Sequence, residues 1–550
     1  MPHHSPMGFQ ALILCGPGGS LNTFTSRPEE YPKCLMKVAN RPMIFYAIDF
    51  CKRSGITDIT LITPPLAFPP LRAALDQNPY LTLPSLPSVS LIAPKHLEMT
   101  MGTAELLRLP EVQKCIKSDF LLLPCDIICD LPAESILEAW IATQGAIQDT
   151  SNSEKNRDTQ GPTTSYFDIQ QQVRRGGLAV YYQTDNREES VPQEATDFVA
   201  IGPLDQDTTR VVPPPQGPAR PRFALSKLLM TMPMDTIKEK MKADKALLLR
   251  YSLVQSCGQV KLLTTFRDAH IYALPLWVKD LVQYQRKLES VSEDLIGNWA
   301  KSGWQKGLGD KMGLTKIFGQ DDYDPQEPST PDSSYFGAFI DKDVDLRRMT
   351  TTKSCLGPES PGFKSCFRTP RSAAAIEACH TTELPQMLAY VHRGSTPFIR
   401  RVDSSAILLS TSLLLAKLPS IEEVGRKAAS PFAHVKKISY PEGIASPSAI
   451  TAKDCLLDDN VIVEPTVVIK ESVIGAKCHI SRGARLIRCV VMDEAVIESR
   501  AELTGCVIGH RARIGRECVL RNCEVQDAYV IPRGTTARDE KLMVYVTLSE

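Results

Sequence analysis

Residues 12–24 read LILCGPGGSLNTF, a short apolar run that ends in glycines placed around a proline. The run Phe9–Cys15 has the length and aliphatic content of a buried strand, and Gly-Pro-Gly-Gly closes it as a turn. Glycines let a backbone approach a ligand closely, and consecutive N–H groups form a concavity that holds an anion. Gly16, Gly18 and Gly19 are therefore a candidate phosphate-binding loop, although many glycine turns after a first strand are turns and nothing more.

The next elements set the fold class. Met43–Ser54 (MIFYAIDFCKRS) has helical spacing, with Ile44, Ala47, Ile48 and Cys51 on one face and Gly55 as its stop. Ile59–Thr63 is a second strand, and Phe120–Asp126 (FLLLPCD) is a third that ends in a carboxylate. Strands alternating with helices predict an α/β, Rossmann-like domain with a mainly parallel sheet and ligands at the carboxyl ends of its strands. Gly16–Ser20 and Asp126 both fall at such ends. Lys33, in YPKCLMKV, could add a point charge for a second phosphate, and Asp126 could hold Mg²⁺, which takes oxygen ligands. A solvated loop lysine and a helix-capping aspartate are the plainer alternatives.

Composition narrows the class further. The 550 residues exceed one ordinary core, and 63 basic against 63 acidic residues leave no net charge. That balance excludes a whole-chain basic footprint of the kind that holds nucleic acid, so no direct nucleic-acid partner is expected. The N-terminus lacks a basic leader, and no run approaches the roughly twenty apolar residues of a membrane span. Sixteen cysteines without a CxxC pair point to reduced thiols in the cytosol, not to a disulfide scaffold or a zinc site. No cofactor, metal or membrane partner is expected.

Polar, aperiodic stretches near 143–165, 205–222 and 319–370 are expected as insertions in a first domain over 1–420. Asp403 is expected to cap the apolar helix that closes that domain, over Ser404–Leu418. Residues 421–447 have the composition of a linker. From Leu456 the period changes: Leu456, Ile462, Val468, Ile474, Ile480, Leu486 and Met492 recur at a step of six, and the ladder continues with shifts to Ile531. Gly475, Gly483, Gly505, Gly509 and Gly515 fall at the corners. This hexapeptide pattern predicts a left-handed parallel β-helix over 448–545. His479 and His510 lack a supporting cluster and are expected at its surface.

The order of motifs resembles the sugar-phosphate nucleotidyltransferases. Residues 12–50 match a strand, a GGxGTRL loop, a PKxLxP segment and a P-[LM]-I helix start. Met101–Ala104 resembles that family's GTA loop, and LLLPCD resembles the strand that ends in its metal aspartate. DAHIYAL at 268–274 resembles the strand written NAGIY, and SVSEDLI at 290–296 resembles SxxxDLI, here with a capping box. The departures matter. Pro17 stands at the loop's second glycine, Leu21 at its arginine, and His270 at the glycine of NAGIY. The resemblance implies that the arginine neutralises phosphates during transfer, and the loss of one such donor costs about 10²–10³ in rate. Gly16, Gly18, Gly19, Lys33 and Asp126 are therefore expected to be a vestigial nucleotide site with no catalytic residue.

Among proteins with this domain order, EYPKCLMKVANRPMIFYAIDFCKRSGITDI and the degenerate loop resemble the gamma subunits of eukaryotic translation initiation factor 2B. The resemblance implies pairing with the epsilon subunit first, then with alpha, beta and delta. It also implies a non-catalytic part in releasing GDP from translation initiation factor 2, a GTPase. The epsilon subunit carries an exchange domain after its coil, and this chain stops at Glu550, about twenty residues beyond Ile531. The alternative reading is an active sugar-1-phosphate nucleotidyltransferase of the GDP-mannose pyrophosphorylase type.

Overall fold

The computed structural model describes residues 8–16, 19–82, 89–97, 101–153, 176–204, 224–318 and 384–544. Pro17, Gly18, residues 154–165 of the first expected insertion and all of 319–370 lie outside the described residues, as does 205–222. The α/β region and the coil belong to one compact unit, Met1–Ile317 with Leu384–Glu550.

The first strand, β1 (Gln10–Leu14), is buried along its length and is followed after the loop by α1 (Met43–Arg53). Gly55 ends that helix in a left-handed conformation at φ 72°, which costs glycine nothing. Strands β2 (Asp58–Ile62), β3 (Val89–Ile92) and β4 (Phe120–Pro124) follow, and α2 runs over Ala133–Ser153. The remaining elements are β5 (Gly177–Gln183), β6 (Asp197–Gly202), β7 (Leu225–Pro233), β8 (Lys261–Leu274), β9 (Met387–His392) and α3 (Ser405–Lys417). They form one nine-stranded sheet in the order β3-β2-β1-β4-β8-β5-β9-β7-β6.

The sheet is mixed, and the expectation of a mainly parallel one holds for half of it. β3, β2, β1 and β4 are parallel, and β9 is parallel to β5. β8 runs antiparallel to β4, β5 and β6, and β7 runs antiparallel to β9 and β6. The long strand β8, with 14 residues, spans both halves and reverses the direction where the βαβ alternation of the first 130 residues stops. Two local expectations also change. α2 continues to Ser153 through the polar sequence expected as loop, with Thr143 Oγ1 bonded to Ala139 O at 2.7 Å. Ser404, not Asp403, caps α3, its side chain accepting from Ile407 N, and Asp403 is drawn away by Arg267.

The stretch Ser405–Val424 has the composition of a short membrane span. Its helix α3 holds 13 residues, about 20 Å at 1.5 Å per residue, against the ~30 Å of a bilayer core. Seven of those residues are buried, five of them apolar, and the helix packs against the coil and the strand Lys37–Val38, which accounts for its apolar character.

The coil is a parallel β-helix of two six-stranded sheets and one five-stranded sheet. Its turn is 17 residues in steps of six, six and five, as in Leu457, Val463, Ile469, then Ile474, Ile480, Leu486, then Val491. The constant step of six is therefore corrected: the inward residues of the first turn are one position later than Leu456, Ile462 and Val468, and Ile462 is 52% exposed. Left-handed corners repeat with the same steps at Asn460, Thr466, Glu471, Lys477, Gly483 and Arg488. Gly475 serves another purpose, because a Cβ there would lie 2.7 Å from the backbone N of Asp493 in the next turn. Parallel pairing already begins at Ile438 and Ile444, inside the span expected as linker.

A 17-residue turn also stacks residues on the outside. Leu456, Val473, Val490 and Val507 lie one above another on one outer face, and with Met492 they join the core of the α/β region. Each aliphatic side chain so buried contributes about 1.5–3 kcal/mol. Polar contacts frame the stripe. Lys37 Nζ reaches Asp458 at 2.8 Å and Asp493 at 3.0 Å, and Asn40 Nδ2 donates to Ile474 O at 2.9 Å. Tyr31 stacks on His510 with centroids 4.8 Å apart, so His510 belongs to the seam and not to an open surface. Val490→Asp is expected to destabilise the protein by more than about 3 kcal/mol in urea unfolding, because it buries a charge. Ile462→Asp, on an exposed position of the same coil, should stay within about 0.5 kcal/mol; equal effects would contradict the docked stripe.

Candidate functional site

The site lies at the carboxyl ends of β1 and β4, adjacent strands in register over Gln10–Leu14 and Phe120–Pro124. Beyond β4, Asp126 is buried and faces the segment that follows the glycine loop. Lys33, in the short turn Lys33–Leu35, places Nζ 2.8 Å from Asp126 Oδ2 and 2.8 Å from Ser20 Oγ. The expected juxtaposition of loop, Lys33 and Asp126 is thus present. A second cation completes it. Ile399–Arg401 pairs antiparallel with Ile127–Cys129, which sets Arg401 opposite Ile127 and its Nε 3.4 Å from Asp126 Oδ1.

Burial alone would raise the Asp126 carboxyl, but Lys33 and then Arg401 outweigh it and hold it well below the usual carboxylate range. Burial works against the Lys33 ammonium too, yet the facing Asp126 carboxylate keeps its pKa above the ordinary lysine value. Arg401 Nη1 also lies 3.0 Å from His270 Nε2. Burial first, then Arg401, pushes the His270 imidazole well below its usual range, so it is neutral at pH 7. Behind it, Arg267 pairs with Asp403 and Glu194, and Arg400 pairs with Glu194 at 3.0 Å.

The loop itself divides into two parts. A Cβ on Gly16 or Gly19 would meet no atom within 4 Å, so the space above these residues is open. Leu21 instead turns inward at φ 62° and joins the main core. The position at which the resembling loops carry arginine therefore points an apolar side chain away from any ligand. Residues around Asp126 do not fit a divalent cation. Its carboxylate is already matched by two cations, which a metal ion at this position would have to displace.

A pocket of about 160 Å³ opens beside His270, lined by Asp197, Thr231, Arg267, Asp268, Glu293 and Arg401 among others. Asp268 accepts the Tyr272 hydroxyl at 2.5 Å and the His270 N–H at 2.8 Å, while its own N–H donates to Asp197 at 2.7 Å. Burial, then the Asp197 charge, lifts the Asp268 carboxyl to about 7. Two further motifs meet at the rim. Gly102 has no room for a side chain against Glu289 O, and Thr103 Oγ1 accepts the Val291 N–H at 2.9 Å. Ser290 accepts from Glu293 N at 3.4 Å, and the returning carboxylate of this cap comes from Asp294, not Glu293.

Arg401 and Asp403 are the residues that sequence reasoning missed in these roles. Their signal is the doubled arginine in FIRRVD, a dense charge after an apolar strand, but nothing in the sequence links it to Asp126, 275 positions earlier.

The fold and site together define a nucleotidyltransferase-like α/β domain with a docked hexapeptide-repeat β-helix. Residues 442–544 match the family model described as the GMPPB C-terminal domain. Over 302 residues the chain is 24% identical to the Schizosaccharomyces pombe protein named translation initiation factor eIF2B subunit gamma. That alignment covers 55% of this chain and 53% of the relative, so the chain matches about half the relative's length.

Two outcomes check the electrostatics. Lys33→Met leaves a buried carboxylate facing Arg401 alone and should cost about 3–5 kcal/mol, while Lys33→Met with Asp126→Leu should cost less than the two single changes summed. Asp268 has a folded pKa of about 7 against 3.8 for the free side chain. Its contribution is fully present below 3.8 and is lost as pH rises through about 7. Asp268→Asn should therefore flatten the fall in unfolding free energy across that window; an unchanged slope would contradict the assignment.

Proposed function

We propose that this chain is a non-catalytic subunit of a translation initiation factor 2B-type guanine nucleotide exchange complex. In that role it pairs with the epsilon subunit, joins alpha, beta and delta in the cytosol, and promotes GDP release from translation initiation factor 2. The observation that carries the non-catalytic part is the Asp126 carboxylate, held by Lys33 at 2.8 Å and by Arg401. A transferase that uses this position for a metal would have to break both ion pairs first. Leu21, packed into the core, supplies no charge to an incoming triphosphate. Gly16, Gly18, Gly19, Lys33 and Asp126 are on this reading the remains of a nucleotide site. The complex-forming part rests on the likeness to the gamma subunit.

The rival, an active sugar-1-phosphate nucleotidyltransferase, draws support from the GMPPB likeness of the coil and from the open space over Gly16 and Gly19. Pyrophosphate release from GTP or ATP with a sugar 1-phosphate separates the two. The expected result is no turnover above that of Asp126→Ala; turnover in the natural chain that this substitution abolishes would establish the rival. Affinity purification of the native chain should recover four other subunits of the factor, and recovery of self-oligomers alone would overturn the assembly.

A further inference from the structure

The segment from Met234 to Leu262 forms a small outlying layer on β6 and β7. Ile237 on the helix Met234–Asp244 and Leu253 on the helix Tyr251–Ser256 pack with Phe198, Ala200, Leu229 and Trp304 into a separate core. Trp304 Nε1 fixes this core to the sheet by donating to Leu229 O at 2.7 Å. Its outer side is unusually apolar for a surface. Leu248 is 71% exposed, Tyr251 78% and Val254 55%, with Met241, Leu249 and Leu262 also exposed. Six exposed apolar side chains on one short segment are a concentration of the kind that marks an interaction site.

The same segment is basic in a chain with no net charge. Lys238, Lys240, Lys242, Lys245, Arg250 and Lys261 stand against Asp235, Glu239 and Asp244. Among the described residues, Lys238 pairs with Asp235 at 3.3 Å, and neither Lys240 nor Arg250 has a carboxylate at ion-pair distance. Lys301, beside the layer, feels the imbalance: burial and then Lys240 and Arg250 push its ammonium below the usual range. Six cations thus stand here against three anions.

We propose that the surface around Leu248, Tyr251 and Val254, rimmed by Lys240, Arg250 and Lys261, docks an acidic protein segment that carries apolar side chains. Charge complementarity selects this occupant. A second copy of the same face would set cations against cations. Single-stranded nucleic acid stacks its bases on successive aromatic side chains, and Tyr251 is the one ring among these six exposed residues. An anionic bilayer offers negative charge without direction, whereas a peptide can place its acids beside the cations and away from Glu239 and Asp244. This surface is independent of the gamma-subunit reading and of the Asp126 site.

The test uses the full chain and a fluorescein-labelled amphipathic peptide with Glu and Asp on one face and Leu and Phe on the other. Fluorescence anisotropy should show salt-sensitive binding that weakens about tenfold or more in Lys240→Glu with Arg250→Glu. Leu248→Ser with Tyr251→Ser should weaken it comparably, without the change in salt dependence. These positions are exposed, and unchanged thermal unfolding of each variant separates lost docking from lost fold. Equal affinity for a peptide with Lys in place of the acids would overturn the proposal. So would preferential binding to polyuridylate RNA or to phosphatidylserine vesicles, or affinities unchanged in both variants.

Discussion

Each turn of the coil closes in 17 residues, and that length stacks Leu456, Val473, Val490 and Val507 on one outer face. A step of six throughout would make 18 per turn, and residues 18 apart, not 17, would then stack on the outside. The stripe meets α3 and lies beside the segment around Lys37. Glu524, next in the series, replaces the aliphatic residues with a carboxylate, and there the seam turns polar, accepting from Thr23 and Ser405.

The seam reaches the candidate site through the chain between the glycine loop and α1. Thr23, Ser26, Glu30, Tyr31, Lys37 and Asn40 all touch the coil. Lys33 lies in the middle of that stretch, so its approach to Asp126 is set by contacts made on either side of it. A loop that closed and opened around a nucleotide triphosphate would have to move against the coil. The ion pair with Asp126 and the inward turn of Leu21 hold the same segment from the other side. A segment held from both sides in this way is restrained from the opening and closing by which a loop admits and releases a substrate.

Charge on the sheet side follows the same logic of mutual satisfaction. Asp126, Arg401, Asp403, Arg267, Glu194 and Arg400 form a connected buried series in which each ion has a neighbour of opposite sign. Removal of one member leaves its partner charged in a low-dielectric interior, which is more costly than the pair is beneficial. Asp268 is the exception. It has Asp197 rather than a cation nearest to it, and its carboxyl rises to about 7.

The sequence alone determined the strand that runs toward Gly16, the helix from Met43, the third strand before Asp126 and the presence of a hexapeptide coil. Local periodicity and glycine placement specify these, since strand and helix faces repeat at 2 and 3.6 residues and a coil side near six. The sequence also brought Lys33 and Asp126 to one end of one sheet. Only the tertiary structure decided that Arg401 joins them, that Asp403 pairs with Arg267 while Ser404 caps α3, and that the sheet reverses at β8. It also decided which aliphatic residue of each adjacent pair faces inward, Leu457 rather than Leu456, because both are buried, one inside the coil and one beneath the α/β domain. Periodicity reports that a residue seeks burial, and the partner it finds depends on chain brought back from hundreds of residues away.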